Sequence, residues 1–200
     1  MRHRTAWILG VILLSLVFQG DSCVLEQRRI SAILGESVPA EFHTRGFTDT
    51  VDDSIIDVGK EIKEAIEDID VEDIANIYIS GGCYEVLRSE GHNARRTGQV
   101  EIDGNLVLTF DVPDNLKGRT GNSGDGTLAL QAPGVTYLNN RLNTFLADLK
   151  AGLDPNLTVF YEASWVSDPS PSSGDPDDFD WIVCLNLQVD YKIEIDVPNP

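Results

Sequence analysis

Between residues 181 and 195 every odd position is apolar, from Trp181 and Val183 through Val189 and Tyr191 to Ile195, with Asn186, Gln188 and Asp190 between them. A period of two predicts a strand with one buried face. This run exceeds the common strand length of about 5 or 6 residues, so it must bend or take two partners along its length. Leu157, Val159, Tyr161, Ala163 and Trp165 repeat the pattern. The intervening residues 167–179, rich in Pro, Ser, Gly and Asp, read as a loop joining the two runs as a long-looped antiparallel pair. Residues 100–102 and 106–112 flank Asp103-Gly104, a dipeptide that tolerates positive φ and predicts a tight hairpin. In residues 74–87 the apolar parity changes from Ile77 and Ile79 to Tyr84 and Val86, as a bulge across Gly81-Gly82 would produce. Residues 30–34 and 38–42 read as two short edge segments, with Gly35 at a turn or bulge and Pro39 on an edge.

Two segments change period. Ile55, Val58, Ile62, Ile66 and Ile69 recur every three or four residues, predicting an amphipathic helix capped by Asp52, Asp53 or Ser54. Pro133 opens a second helix, whose apolar face comprises Val135, Leu138, Leu142, Phe145, Leu146 and Leu149, and Gly152 closes it. Hairpins and two separated helices predict an α+β domain, with a mostly antiparallel β-sheet or β-sandwich and two amphipathic helices. A parallel α/β arrangement is the less favoured alternative.

The amino terminus follows another order. Arg2 and Arg4 precede an apolar run over residues 6–18, then small and polar residues. That run is short of the roughly 20 residues a spanning helix needs, and charged, apolar and small regions in sequence predict a secretory signal peptide over residues 1–22. Residues 23–200 then form a single exported domain. Gly20 and Ser22 before Cys23 make the first 23 residues resemble a bacterial lipoprotein signal. The resemblance implies that Cys23 becomes the lipidated first residue of the mature chain. Val24 after it implies the outer membrane or cell surface, with a periplasmic or secreted protein as the other outcome. Cys23, Cys83 and Cys184 are the three cysteines, and lipidation of Cys23 accounts for the odd one. Cys83 and Cys184 are left either to form a disulfide or to sit as small buried hydrophobes. Cys184 falls on the even face of its strand, away from the main core.

The chain carries a formal charge of −18, which becomes −19 when Arg2, Arg4 and Asp21 leave with residues 1–22. Nucleic acid is therefore a poor partner, since such binding depends on Lys and Arg releasing counterions from phosphates. The stretch Gly121-Asn-Ser-Gly-Asp-Gly126 resembles the nucleophile loop of trypsin-like serine proteases, which would make Ser123 the nucleophile. Only His43 and His92 remain in the mature chain as candidate bases, neither in a family-like motif, so the stretch reads as a flexible glycine-rich turn and no catalytic residue is assigned. Asp175, Asp177, Asp178 and Asp180, with Asp168 before them, offer oxygen ligands suited to calcium but lack EF-hand spacing; a solvated acidic loop is the competing reading. The aromatics Tyr161, Trp165, Trp181 and Tyr191 read as core more readily than as a sugar-stacking platform. No lysine-bearing phosphate loop and no dinucleotide fingerprint is present. These features predict a non-catalytic cell-envelope binding or structural module, held by a lipid anchor, with a protein or carbohydrate partner. The alternative is an extracellular carbohydrate- or calcium-binding protein.

Overall fold

A computed structural model describes residues 26–46, 51–91, 93–114, 116–168 and 177–197. The predicted signal peptide, Cys23, His92 and Asp175 lie outside the described residues. The elements run β1 (Glu26–Gly46), β2 (Val51–Asp57), α1 (Val58–Ala65), β3 (Ile74–Gly91), β4 (Arg95–Ile102), β5 (Asn105–Val112), β6 (Thr120–Asn122), β7 (Leu128–Leu130), α2 (Ala132–Lys150), β8 (Thr158–Asp168) and β9 (Asp177–Val197). One sheet has the order β1-β9-β3-β6 and the other β2-β8-β4-β5-β7, with every pairing antiparallel. The chain is thus α+β with a mostly antiparallel architecture.

The long alternating run of β9 resolves by taking two partners, β1 on one side and β3 on the other. The expected pairing of β8 with β9 does not occur. The two strands lie in different sheets, and the odd-numbered residues Val159, Tyr161 and Trp165 of β8 and Trp181, Val183 and Leu185 of β9 are buried in one core. Trp165 of β8 meets Trp181 of β9 edge to face, with centroids 5.3 Å apart. Phe42 of β1 and Phe110 of β5 close around Trp181 at 5.5 and 5.2 Å. These four rings, drawn from both sheets, are all buried, and burial of such large apolar side chains favours the arrangement.

Three further expectations change. The two short edge segments are one strand of 21 residues. Its edge place in the sheet accommodates Pro39, which has no N–H for a ladder, and the register runs unbroken through Gly35. The first helix is shorter than its apolar spacing predicted, because β2 takes the segment before it and pairs with β8. Ile55 lies in β2 and is 71% exposed, while Val58, Ile62 and Ile66 are buried. Asp57, rather than Asp52, Asp53 or Ser54, caps α1 by accepting from the Lys60 backbone N–H at 3.0 Å. Adjacent β-branched Ile55 and Ile56 suit a strand, and the cap marks where the strand ends. In β3 the parity change lies at a register shift between Ile79 and Gly81, with further shifts between Ile74 and Asn76 and between Val86 and Arg88.

The hairpin between β4 and β5 has Asp103 at φ 51° and Gly104 at φ 75°, the paired left-handed conformations of a tight turn. Helix α2 starts with proline in its first turn and ends at Gly152, whose N–H reaches the Leu149 carbonyl at 2.9 Å. Leu138, Leu142, Phe145 and Leu146 are buried in the core shared by both sheets. Gly134 lets α2 approach β5, since a Cβ there would stand 2.1 Å from the Leu106 carbonyl oxygen. Among the described residues no helix is long and apolar enough to cross a membrane.

Candidate functional site

The turn of the β4–β5 hairpin fastens α2 in place. Asp103 accepts the Phe160 backbone N–H at 2.9 Å through Oδ1 and the Tyr137 hydroxyl at 3.0 Å through Oδ2. Arg141, one turn along α2 from Tyr137, pairs with the same Oδ2 and donates to the Thr158 carbonyl at 3.0 Å. A carboxylate that satisfies three donors from α2 and β8 holds helix, hairpin and strand together. Close by, Tyr161 is fully buried and its hydroxyl has no hydrogen-bond partner among the described residues. Burial first, and the Asp103 charge second, push that hydroxyl well above the ordinary phenol range.

Beside this clamp runs a groove of about 350 Å³, lined on one wall by Tyr137, Asn140, Arg141, Thr144, Phe145 and Asp148 of α2 and on the other by residues 155–157. Its size falls at the lower end of small-ligand sites. Asn140, Thr144 and Asp148 recur every four residues, so they form a polar row with successive members about 6 Å apart along the axis. Tyr137, Arg141 and Phe145 form the neighbouring row. The Thr144 hydroxyl is turned back to the Asn140 carbonyl at 3.1 Å, and Asn156 accepts from the Thr158 hydroxyl at 3.1 Å. The Asn140 amide and the Asp148 carboxylate make no side-chain hydrogen bond among the described residues.

Helix α1 braces the floor. The Gly59 N–H donates to the Leu157 carbonyl at 3.0 Å, and a Cβ at Gly59 would meet the Phe145 ring at 2.9 Å. Lys63 stands 5.9 Å from the centre of that ring and pairs with Asp154. Lys150, at the end of α2, donates to the Ile74 carbonyl at 2.6 Å, so the groove sits on a helix held near both ends and a loop fixed by α1.

The residues singled out from sequence are dispersed. Cys83 and Cys184 are register partners with Cα atoms 5.0 Å apart, a disulfide separation, and their sulfurs are bonded. Cys184 is 3% exposed although it lies outside the apolar core. Its register neighbours Cys83 and Pro39 flank it on the sheet's outer face. Asp180 lies between His43 and Arg88 in register, accepting from Arg88 Nε at 2.9 Å and lying 3.0 Å from His43 Nδ1. Asp177 and Asp178 are placed as backbone partners of β1 and β3. Among the described residues no group of three or more His, Cys, Asp or Glu is arranged to hold a metal ion.

Ser123 Oγ accepts from the Gly82 N–H at 3.3 Å. Its loop is held by Asp125, which takes the Asn122 and Thr127 backbone N–H groups at 2.9 Å each. The Thr127 hydroxyl and these backbone donors hold the Asp125 carboxyl below the usual range. Tyr161, Trp165 and Trp181 are buried and Tyr191 is half-buried against the core. The groove residues were absent from the sequence-based candidates. Their only linear signal is the four-residue recurrence of polar groups on the exposed side of α2.

No protein-family model, no curated protein and no solved structure matches this chain.

Proposed function

We propose that this chain is a non-catalytic, exported module of the cell envelope, tethered to the outer membrane through lipid on Cys23, that binds its ligand in the groove between α2 and residues 155–157. In this reading its two sheets stack as a β-sandwich, supported by Phe42 and Trp181 of one sheet meeting Phe110 and Trp165 of the other. The groove carries the binding reading. It offers Asn140 and Asp148 with no internal hydrogen-bond partner among the described residues, on a helix immobilised through Asp103 and Gly134. The lipoprotein-like order of the first 23 residues supports the tether. Calcium has weaker support than an organic ligand, because both Asp180 oxygens already face His43 or Arg88.

Two measurements test the reading. Intact-mass analysis of membrane-fraction protein is expected to give a chain beginning at a lipid-modified Cys23; an unmodified cysteine there defeats the tether. Saccharide, peptide and protein fractions of envelope extract are then added to the isotope-labelled chain lacking residues 1–22. At least one fraction is expected to move the backbone amide resonances of residues 137–148 and 155–158. If none does, the groove is not a binding site.

A further inference from the structure

We infer that the groove takes a neutral saccharide of one or two rings, its C–H faces against Tyr137 and Pro155 and its hydroxyls bonded by Asn140, Asp148 and Asn156; this rests on the reading of the groove as the binding site. The lining chemistry excludes the other classes in turn. An anion would need a free cation, and Arg141, the single cationic residue of the lining, is committed to Asp103 and the Thr158 carbonyl. The chain's charge of −18 opposes anions further. A cation would meet one carboxylate, Asp148, with the lining's other polar groups neutral apart from Arg141, and a lone, partly exposed carboxylate binds cations weakly. A purely apolar ligand would have to cover Asn140, Thr144, Asp148 and Asn156, stripping water from groups it cannot satisfy.

A neutral polyol fits what remains. Each amide supplies two donors and an acceptor, the carboxylate supplies acceptors only, and a sugar hydroxyl can answer either kind. Two steps of roughly 6 Å, from Asn140 to Thr144 and on to Asp148, spread these groups over about 12 Å, the span of two linked rings, while Tyr137 on one wall and Pro155 on the other provide apolar surface for the rings' C–H faces. Asn156, on the opposite wall, is held by Thr158, so one of its two sides is already oriented. The groove's volume of about 350 Å³ admits one or two rings. Dissociation constants on the order of a millimolar follow for a ligand of so few atoms.

The test is a resonance titration of the chain lacking residues 1–22 with the methyl pyranosides of glucose, galactose and mannose and with N-acetylglucosamine. Glycerol, glucuronate and glucosamine serve as comparisons. At least one neutral sugar is expected to give saturable shifts confined to residues 137–148 and 155–158. Asn140→Ala and Asn156→Ala should each weaken it roughly five-fold; both positions are exposed, so the fold survives. Thr97→Ala, opposite Val166 and thus far along β8 from Thr158, should leave the titration unchanged. Neutral sugars that act no better than glycerol, tighter binding of glucuronate or glucosamine, or indifference to Asn140→Ala would each overturn the inference. A peptide fraction that moves the groove resonances while every sugar fails ends this inference and leaves the binding module standing. An unmodified Cys23 ends the tether and leaves the titration untouched.

Discussion

Replacing Asp103 probes how the groove wall is held. Its carboxylate accepts two neutral donors, the Phe160 N–H at 2.9 Å and the Tyr137 hydroxyl at 3.0 Å, and pairs with Arg141. Each of these charge-assisted bonds, discounted for the exposure of the carboxylate, contributes about 1 kcal/mol net. The ion pair, with side chains 23% and 32% exposed, adds about 1 kcal/mol once solvent screening is allowed for. Asp103 also sits at φ 51°, where alanine adds about 1 kcal/mol of backbone strain that glycine avoids and asparagine largely avoids. Asp103→Ala should therefore cost about 3–4 kcal/mol, Asp103→Gly about 2–3, and Asp103→Asn about 1. Urea unfolding with an unchanged slope reads these as midpoint shifts. A double-mutant cycle with Arg141→Ala should show coupling of about 1 kcal/mol. A loss below about 0.5 kcal/mol for the alanine variant, or glycine proving worse than alanine, would refute the account of the clamp.

The Cys83–Cys184 bond closes a separation of 101 residues, so chain entropy sets its stabilisation at up to about 4–5 kcal/mol. Reductant should lower the melting temperature by roughly 10 °C or more, and unchanged melting would contradict the bond. Gly134→Ala, which would stabilise an ordinary helix, should destabilise this one by about 2 kcal/mol, because its Cβ would meet the Leu106 carbonyl oxygen at 2.1 Å; a gain in urea midpoint would refute the close approach. Arg119, and then the Leu116 N–H, hold the Asp114 carboxyl below the usual range against partial desolvation. A lowered folded-state pKa stabilises above the ordinary value of about 3.9 and ceases to do so as pH falls through the lowered one. Asp114→Asn should thus melt below the parent at pH 7, with the gap closing in acid; a gap that widened would reverse the assignment. Tyr161→Phe removes a buried hydroxyl with no partner among the described residues, and chemical unfolding should show it unchanged or up to about 1 kcal/mol more stable. A loss beyond 1 kcal/mol would reveal a bond to that oxygen.

Much of the local structure was legible because it depends on near neighbours. Helix α2 carries its own start and stop, in Pro133 and Gly152, around an apolar stripe that packs as its spacing predicts. Asp103-Gly104 makes its hairpin through two positive φ angles, and the parity change in β3 coincides with a register shift near Gly81. Ile55 shows the limit of such reading. Its spacing to Val58 and Ile62 suits a helix, yet pairing with β8 claimed it for β2. The groove was harder still to foresee, since its two walls come from one face of α2 and a loop brought beside it by α1.

By itself the sequence determined the alternation of β8 and β9, the ends of α2, the Asp103-Gly104 turn, the acidic balance and the charged-apolar-small order of the first 23 residues, because each is a property of adjacent positions. Only the tertiary structure decided that β8 and β9 belong to different sheets, that Asp180 lies between His43 and Arg88, and that Asp103 holds α2. Alternation states which side of a strand is apolar and leaves open which strand will share its hydrogen bonds. That choice falls to the burial of Trp165 against Trp181, an interaction between residues whose meeting no local pattern encodes.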